Sequence, residues 1–169
     1  YTVSDGNLTS TGTVNITVNS VNDTPSFDPI SNQTVDEDSL SQDIFITNVS
    51  SGPENESGQT VTFTATSSDS SIIPNPSVTG SGSTRTLTYT PSTNQFGAVT
   101  ITITADDGQA LNNTFVRTFT ITVNSINDAP VCKDVDLTTD EDTQGSAEPN
   151  CTDVEGDTLT YQIVAQPGN

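Results

Sequence analysis

Apolar and polar residues alternate one by one along several stretches of the chain. In residues 99–105 and 119–123, each apolar residue is separated from the next by a threonine. A period of two is typical of a β-strand with one buried and one exposed face, and threonine suits the exposed face because its branched side chain favours extended backbone. Shorter stretches show the same period at 14–18, 61–65, 87–89 and 159–163. Because no stretch has a convincing helical period, the sequence predicts an all-β protein.

Three motifs occur twice, in the same order and at nearly the same spacing. The segment 13–25 (TVNITVNSVNDTP) returns as 118–130 (TFTITVNSINDAP), 36–39 (DEDS) returns as 140–143 (DEDT), and Ser4-Asp5-Gly6 returns as Asp106-Asp107-Gly108. The period of about 105 residues is the size of one β-sandwich domain. We therefore predict a tandem array in which residues 24–128 form one complete repeat. Residues 1–23 are then the C-terminal strands of a preceding repeat, and residues 129–169 are the N-terminal strands of a following one.

The flanking pieces are too small to bury a core of their own. The strands that they lack come either from the same chain beyond these residues or from another copy of it in a filament, as in donor-strand arrangements. The sequence leaves both arrangements open.

The composition excludes several classes of function. The chain has 22 acidic and three basic residues, a formal net charge of −19 and no histidine. Affinity for nucleic acid or for an anionic membrane depends on clustered Lys and Arg, so we expect neither as a partner, and we expect no membrane insertion. Without imidazole, Ser-His and Cys-His nucleophiles and two-His zinc sites are excluded as well. Carboxylates remain for chemistry, but their plausible pairs lie in loops without an aromatic platform, so we predict that the protein is not an enzyme.

The acidic residues concentrate where strands end. Residues 57–105 contain one acid, Asp69, whereas the linkers and the loops between strands contain most of the others. Carboxylates packed into one interface repel one another unless a cation lies between them, and three basic residues are too few to serve. Ca²⁺ takes six to eight oxygen ligands in flexible geometry, so it fits such a site. Acids that are simply solvated, or the dispersed acidity of a halophile, are the alternatives.

The order of these motifs resembles the cadherin-like tandem repeats of large microbial surface proteins. The resemblance rests on Glu-Asp-Ser/Thr, an acidic loop before an aromatic strand (153–161), Tyr89-Thr90-Pro91, Phe96-Gly97, Asp-Asp-Gly and the Asn-Asp linker. It implies a seven-stranded Greek-key β-sandwich (cadherin/immunoglobulin-like) in tandem repeat, with calcium ions at the junction between successive domains. It also implies an extracellular or cell-surface location.

Carried over position by position, the resemblance implies two sets of calcium ligands. The set at the junction between the preceding and the central repeat is Asn22, Asp23, Glu54, Glu56 and Asp107. The set at the junction between the central and the following repeat is Glu37, Asn127, Asp128, Asp153, Glu155 and Asp157. The loop at 53–58 reads Pro-Glu-Asn-Glu-Ser-Gly instead of Asp-x-Asp/Glu-Gly-Asp, so we expect the first site to be weaker or to hold fewer ions.

Two modifications are suggested by the sequence. Cys132 and Cys151 are too far apart for a CxxC metal site, so a disulfide is the better interpretation and two free thiols are the alternative. Asn-x-Ser/Thr sequons make N-glycosylation possible in a suitable organism, except at Asn22, which the calcium junction requires. The remaining sequons are at Asn7, Asn15, Asn32, Asn48, Asn55, Asn112 and Asn150.

The sequence therefore predicts a structural role, that of a calcium-rigidified repeat in the rod or filament of a microbial surface adhesin or fibre. Its partners would be neighbouring repeats of the same chain or copies of it in a filament. A carbohydrate- or protein-binding sandwich module is the alternative, although the chain has no Trp and only three Tyr.

Overall fold

The computed structural model describes residues 1–164, and these contain eleven β-strands and one short 3-10 helix, which confirms the all-β prediction. The helix is Glu54–Glu56. The strands are β1 (Thr2–Ser4), β2 (Thr9–Thr11), β3 (Gln33–Asp36), β4 (Gln42–Ile46), β5 (Thr62–Ser67), β6 (Ser77–Thr79), β7 (Arg85–Tyr89), β8 (Gly97–Asp106), β9 (Thr114–Asn124), β10 (Val131–Lys133) and β11 (Asn150–Thr152).

Strands β3 to β9 form two sheets that share one hydrophobic core. The strand order is β3-β9-β8-β5 in one sheet and β4-β7-β6 in the other. The β3–β9 pair is parallel and the other pairs are antiparallel. The core residues come from both sheets, so the arrangement is that of a β-sandwich. The buried apolar side chains are Phe27, Ile46, Val61, Ala65, Ile73, Leu87, Tyr89, Val99, Ile101, Ile103, Ala105, Phe119, Ile121 and Val123.

The predicted alternation fixes which face of the long β8–β9 pair is buried. Ile101 pairs with Phe119, and Val99 pairs with Ile121, on the face that points into the core. Thr100 pairs with Thr120 on the opposite face. Full burial of an Ile or Val side chain stabilises the fold by about 1.5–3 kcal/mol, so a register shift of one residue would lose every such contribution in the pair at once.

The segments outside residues 24–128 have little regular structure. Strands β1 and β2 form a hairpin, but residues 12–24 contain no strand, and neither do residues 159–163. The alternating pattern predicted strands at 14–18 and 159–163, and this prediction is wrong for the described chain. A strand needs hydrogen-bonding neighbours, and β9, the repeat counterpart of 14–18, has β8 and β3 beside it, whereas the described residues place no strand beside 14–18. Residues 165–169 of the predicted third piece lie outside the described residues.

The predicted disulfide is present. Cys132 in β10 lies directly opposite Cys151 in β11, and the two are bonded. The two strands are three residues long each, and nearly every residue from 129 to 152 is exposed. The disulfide is therefore the main link between these strands besides their short ladder.

Within the described residues, no helix is long and apolar enough to span a lipid bilayer.

Candidate metal centres at the two linkers

Three carboxylates converge at the linker that follows the central segment, Asn127-Asp128, which is called the second linker below. Each of Glu37, Asp128 and Glu155 offers an oxygen, and these oxygens lie within 4.8 Å of one another. Glu37 is buried, with 3% of its surface exposed. One oxygen of each carboxylate, Glu37 Oε2, Asp128 Oδ2 and Glu155 Oε1, is buried and has no hydrogen-bond partner within the described chain. Buried carboxylate oxygens normally have a donor or a cation.

The end of the β3–β9 pair positions Glu37 beside the linker. Glu37 follows β3 directly, and its backbone N–H donates to the carbonyl of Asn124, the last residue of β9. The chain then enters the linker, where the N–H of Ile126 donates to Glu37 Oε1 over 2.9 Å. Because β3 and β9 are parallel, both strands end at the same edge of the sheet.

The loop at 153–157 brings Glu155 to the linker. Asp153 Oδ1 accepts the N–H groups of Glu155 and Asp157, at 3.1 and 3.0 Å, and Gly156 takes a positive φ of 77° that completes the turn. Glu155 Oε2 then accepts the N–H of Asp128 over 3.1 Å. Asp153 and Asp157 line an adjacent cavity of about 320 Å³ together with Asn127 and Asp128.

Repulsion among carboxylates marks this cluster electrostatically. The pKa of Asp128 is raised above its ordinary value of 3.8, first by loss of solvent and then by the negative charges of Asp38, Glu155, Glu37 and Asp153. Asp38 was not in the predicted ligand set. It takes a left-handed φ of 59° and its Oδ1 accepts the N–H of Asn94 over 3.1 Å. Its place in the repeated DEDS motif, one residue after Glu37, was the signal that could have found it.

The first linker, Asn22-Asp23, shares one hydrogen bond with the second linker. The N–H of Asp23 donates to Glu56 Oε1 over 2.8 Å, as the N–H of Asp128 donates to Glu155. Glu56 is 3% exposed, and its Oε2 is buried without a partner in the described chain. The Asp23 side chain itself is exposed.

The Asn22 amide distinguishes the first linker. Its Nδ2 lies within hydrogen-bond distance of four oxygens, although an amide has only two hydrogens to donate. These are Asp107 Oδ2 at 3.0 Å, Leu111 O at 3.0 Å, Asp23 O at 3.1 Å and Asn112 O at 3.4 Å. Asp107 is 4% exposed. The sequence did not point to Gln59, whose Nε2 donates to Asn22 Oδ1 over 2.8 Å.

Two of the predicted ligands, Glu54 and Asn127, have exposed side chains. Glu54 and Glu56 occupy one turn of 3-10 helix, in which residues two apart point in different directions because a turn takes three residues. Glu54 is exposed and lines a separate cavity. Asn127 is also exposed, and its Nδ2 donates to the carbonyl of Asp128 over 3.1 Å.

The sequons differ in the freedom of their side-chain nitrogens. Three of these nitrogens donate within the described chain: Asn48 to Asp28, Asn55 to Ser20 and Asn112 to the carbonyl of Asn22. The Asn32 side chain accepts the N–H of Thr120. Asn7, Asn15 and Asn150 are exposed.

The donor set at the second linker suits a hard divalent cation. It consists of the carboxylate oxygens of Glu37, Asp128 and Glu155 and includes no thiolate. Calcium prefers such oxygen ligands. The orphaned oxygens of Glu37, Asp128 and Glu155 would supply three of the six to eight ligands that it takes. Asp153 and Asp157 lie beside the cluster and could supply more.

Comparisons with known proteins give only distant structural likenesses. The sequence matches no family model and has no significant match among curated proteins. The structure is similar to domains 4 and 5 of the S-layer protein SbsC, with 20% identity and a TM-score of 0.42 over 70% of this chain. It is also similar to the titin domains z1z2 solved with telethonin, with 13% identity and a TM-score of 0.44 over 67% of this chain. The matches cover 53% and 54% of those chains, about half of each.

Proposed function

We propose that this chain is part of a tandem array of extracellular structural domains whose linkers are stiffened by calcium. The central segment, residues 24–128, would be one complete repeat with a seven-stranded Greek-key topology. Strands β3 to β9 and their order in the two sheets support this. The disulfide supports an oxidising, extracellular compartment, where such bonds persist.

The observation that carries the calcium proposal is the cluster of Glu37, Asp128 and Glu155. One oxygen of each carboxylate lies within 4.8 Å of the other two, and each carboxylate has one buried oxygen without a partner in the described chain. The carboxylates come from three parts of the chain: the end of β3, the linker and the loop after β11. An ion shared by all three would therefore fix the angle between the central segment and the next.

The repeat proposal is supported by the hydrogen bond that both linkers share. In each, the N–H of the aspartate in an Asn-Asp pair donates to a glutamate of the loop that follows. The same sequence motif therefore places the same backbone group at both ends of the central segment. A rod results if each linker of the array is stiffened in this way.

A calcium titration of the whole chain tests the proposal. We expect saturable Ca²⁺ binding by calorimetry, a higher melting temperature than in EDTA, and a more extended particle by small-angle X-ray scattering. The Glu155→Gln variant keeps the size of the side chain but removes one charge and one strong ligand, so it should weaken Ca²⁺ binding at least about tenfold.

Glu148→Gln is the matched control because Glu148 is exposed and carries the same charge. Its calcium affinity should equal that of the parent chain. Unchanged melting and unchanged scattering on addition of Ca²⁺ would overturn the proposal, and so would equal calcium affinities for the two variants.

A further inference from the structure

We infer that a cavity on the side of the central segment, separate from both linkers' carboxylate clusters, binds the carboxylate group of an acidic sugar. The cavity has a volume of about 440 Å³, within the range of small-molecule pockets. It lies between the loop that follows β4, the start of β5 and the turn that joins β6 to β7. The inference does not depend on calcium binding.

Arg85 is the feature that points to an anion. It lines the cavity and is one of the buried charged residues, with 9% of its surface exposed. Its Nη1 donates to the carbonyls of Gly82 and Thr84, its Nη2 donates to the carbonyl of Val61, and its guanidinium lies 5.6 Å from the centre of the Phe63 ring. These contacts fix the plane of the guanidinium.

Two of the five N–H groups of Arg85 remain available. The three hydrogen bonds use at most three hydrogens of Nη1 and Nη2, so the Nε hydrogen and at least one other hydrogen have no acceptor within the described chain. A carboxylate can accept from Nε and Nη2 together in a planar, bidentate pair.

The charge balance of the chain makes this unpaired cation informative. The protein has 22 acidic residues and only three basic ones, yet all the hydrogen-bond partners of Arg85 in the described chain are neutral backbone carbonyls. Buried charges are normally paired with an opposite charge. An external carboxylate would supply that charge.

The rest of the lining favours a hydroxylated ligand with a single acid group. Side-chain hydroxyls surround the cavity. Those of Ser50, Ser51 and Ser57 already donate to backbone carbonyls and could accept from a sugar hydroxyl, whereas those of Thr60 and Ser81 have no partner within the described chain and could accept or donate. Glu54 lies at the same cavity and would repel a second carboxylate. The hydroxyl side chains of the lining belong to Ser50, Ser51, Ser57, Thr60 and Ser81.

An NMR titration of the whole, isotope-labelled chain with sodium glucuronate tests the inference. We expect saturable shifts of the amide signals of residues 50–61 and 81–85. Glucose carries the hydroxyls without the acid and acetate carries the acid without the hydroxyls, so each should bind at least about tenfold more weakly. Sodium phosphate shows whether any anion suffices. The titration is run in EDTA and in Ca²⁺, and the result should be the same in both.

Variants separate the cavity from the rest of the surface. Arg85→Gln should abolish the shifts, whereas Arg117→Gln should keep them, because Arg117 lies over Phe27 and Phe115 and makes the same change of charge elsewhere. Ser81→Trp fills the cavity from an exposed position and should also abolish binding, even if Arg85→Gln fails to fold. The inference is wrong if the parent chain gives no saturable shifts with glucuronate, if acetate or phosphate binds as tightly, or if Ser81→Trp leaves the affinity unchanged.

Discussion

At the first linker the amide nitrogen of Asn22 lies among four oxygens, whereas at the second linker three carboxylates face one another. The two linkers share the Asn-Asp pair and the hydrogen bond from the aspartate N–H to a glutamate. They differ in what neutralises the oxygens around them. At the first linker an amide supplies hydrogens and one carboxylate oxygen, Glu56 Oε2, is buried without a partner, whereas at the second linker three carboxylates each have an oxygen that no donor within the described chain reaches.

The two linkers are therefore positioned in different ways. Hydrogen bonds from Asn22 and Gln59 position the first linker without an ion. The second linker carries repulsion that only a cation or a proton relieves. A calcium ion at the first linker would require the Asn22 amide to turn so that Oδ1, and not Nδ2, faces Asp107. We therefore expect the second linker to respond to calcium at lower concentration.

The largest effect is expected from Gly52→Ala, which acts on the first linker and on the cavity beside it but not on the second linker. Gly52 has a φ of 143°, and a Cβ there would lie 1.8 Å from Glu56 Oε2. The new methyl group must displace a buried carboxylate, so the free energy of unfolding should fall by about 2 kcal/mol or more, as measured by urea denaturation. Gly58→Ala is the control, because nothing lies within 4 Å of its Cβ position, and it should change stability by less than about 0.5 kcal/mol.

The variants Asn22→Ala and Asn127→Ala test the difference between the two linkers directly. Loss of the Asn22 amide removes the donor of Asp107 Oδ2 and of the Leu111 carbonyl, while Asp107 Oδ1 still accepts the N–H of Gln109, so the 107–113 turn should open more easily by about 1–2 kcal/mol. Hydrogen exchange of the amides in residues 107–113 measures this. Asn127 bonds only to the carbonyl of the next residue, so its removal should have a much smaller effect. Equal protection of the turn in parent and Asn22→Ala chains would contradict the interpretation.

The effect of Glu37→Gln on stability should have opposite signs with and without calcium. Without calcium, the variant removes one of three repelling charges while keeping an acceptor for the Ile126 N–H, so the chain should gain about 1 kcal/mol of stability at neutral pH. With saturating calcium it should be less stable than the parent, because a ligand has been lost. Melting curves with and without EDTA measure both effects. A loss of stability in EDTA would show that Glu37 is not under repulsion.

The smallest effect concerns pH. The folded chain holds a proton on Asp128 more tightly than the unfolded chain does, because its pKa is raised above 3.8. Between 3.8 and the raised value the folded state binds more protons, so stability without calcium should increase as the pH falls through that window. Asp128→Asn should flatten this part of the stability profile. Asp69 acts in the opposite direction, since hydrogen bonds from Ser71 lower its pKa. Its contribution to the stability of the folded chain is lost only as the pH falls below 3.8.

Much of the fold follows from periodicity. The alternation of residues 99–105 and 119–123 identified β8, β9 and their buried faces, because burial of every second side chain is a local property of a strand. The same pattern failed at 14–18 and 159–163, because pairing depends on neighbouring strands that the local pattern does not contain. The spacing of the cysteines favoured a bond but did not show that the two residues lie opposite each other in a two-stranded ribbon.

The candidate sites were less accessible to sequence reasoning. The resemblance to cadherin-like repeats implied Glu37, Asp128 and Glu155 as candidate ligands, but not Asp38 or Gln59, whose roles depend on a turn and an amide from distant parts of the chain. It also placed Glu54 with Glu56, which one turn of 3-10 helix separates. The sequence did not point to Arg85, because only the folded structure shows that its partners are backbone carbonyls and not carboxylates.

The sequence alone determined the all-β class, the buried faces of the central strands and the concentration of acids at the strand ends, because these depend on side-chain chemistry and local period. Only the tertiary structure decided which partners the charged groups have. The Asn22 amide lies among four oxygens at the first linker, three carboxylates at the second linker each keep one oxygen without a donor in the described chain, and backbone carbonyls hold Arg85 in a cavity. Electrostatic neutralisation acts over a few ångströms between groups distant in sequence, so the chain order does not specify it.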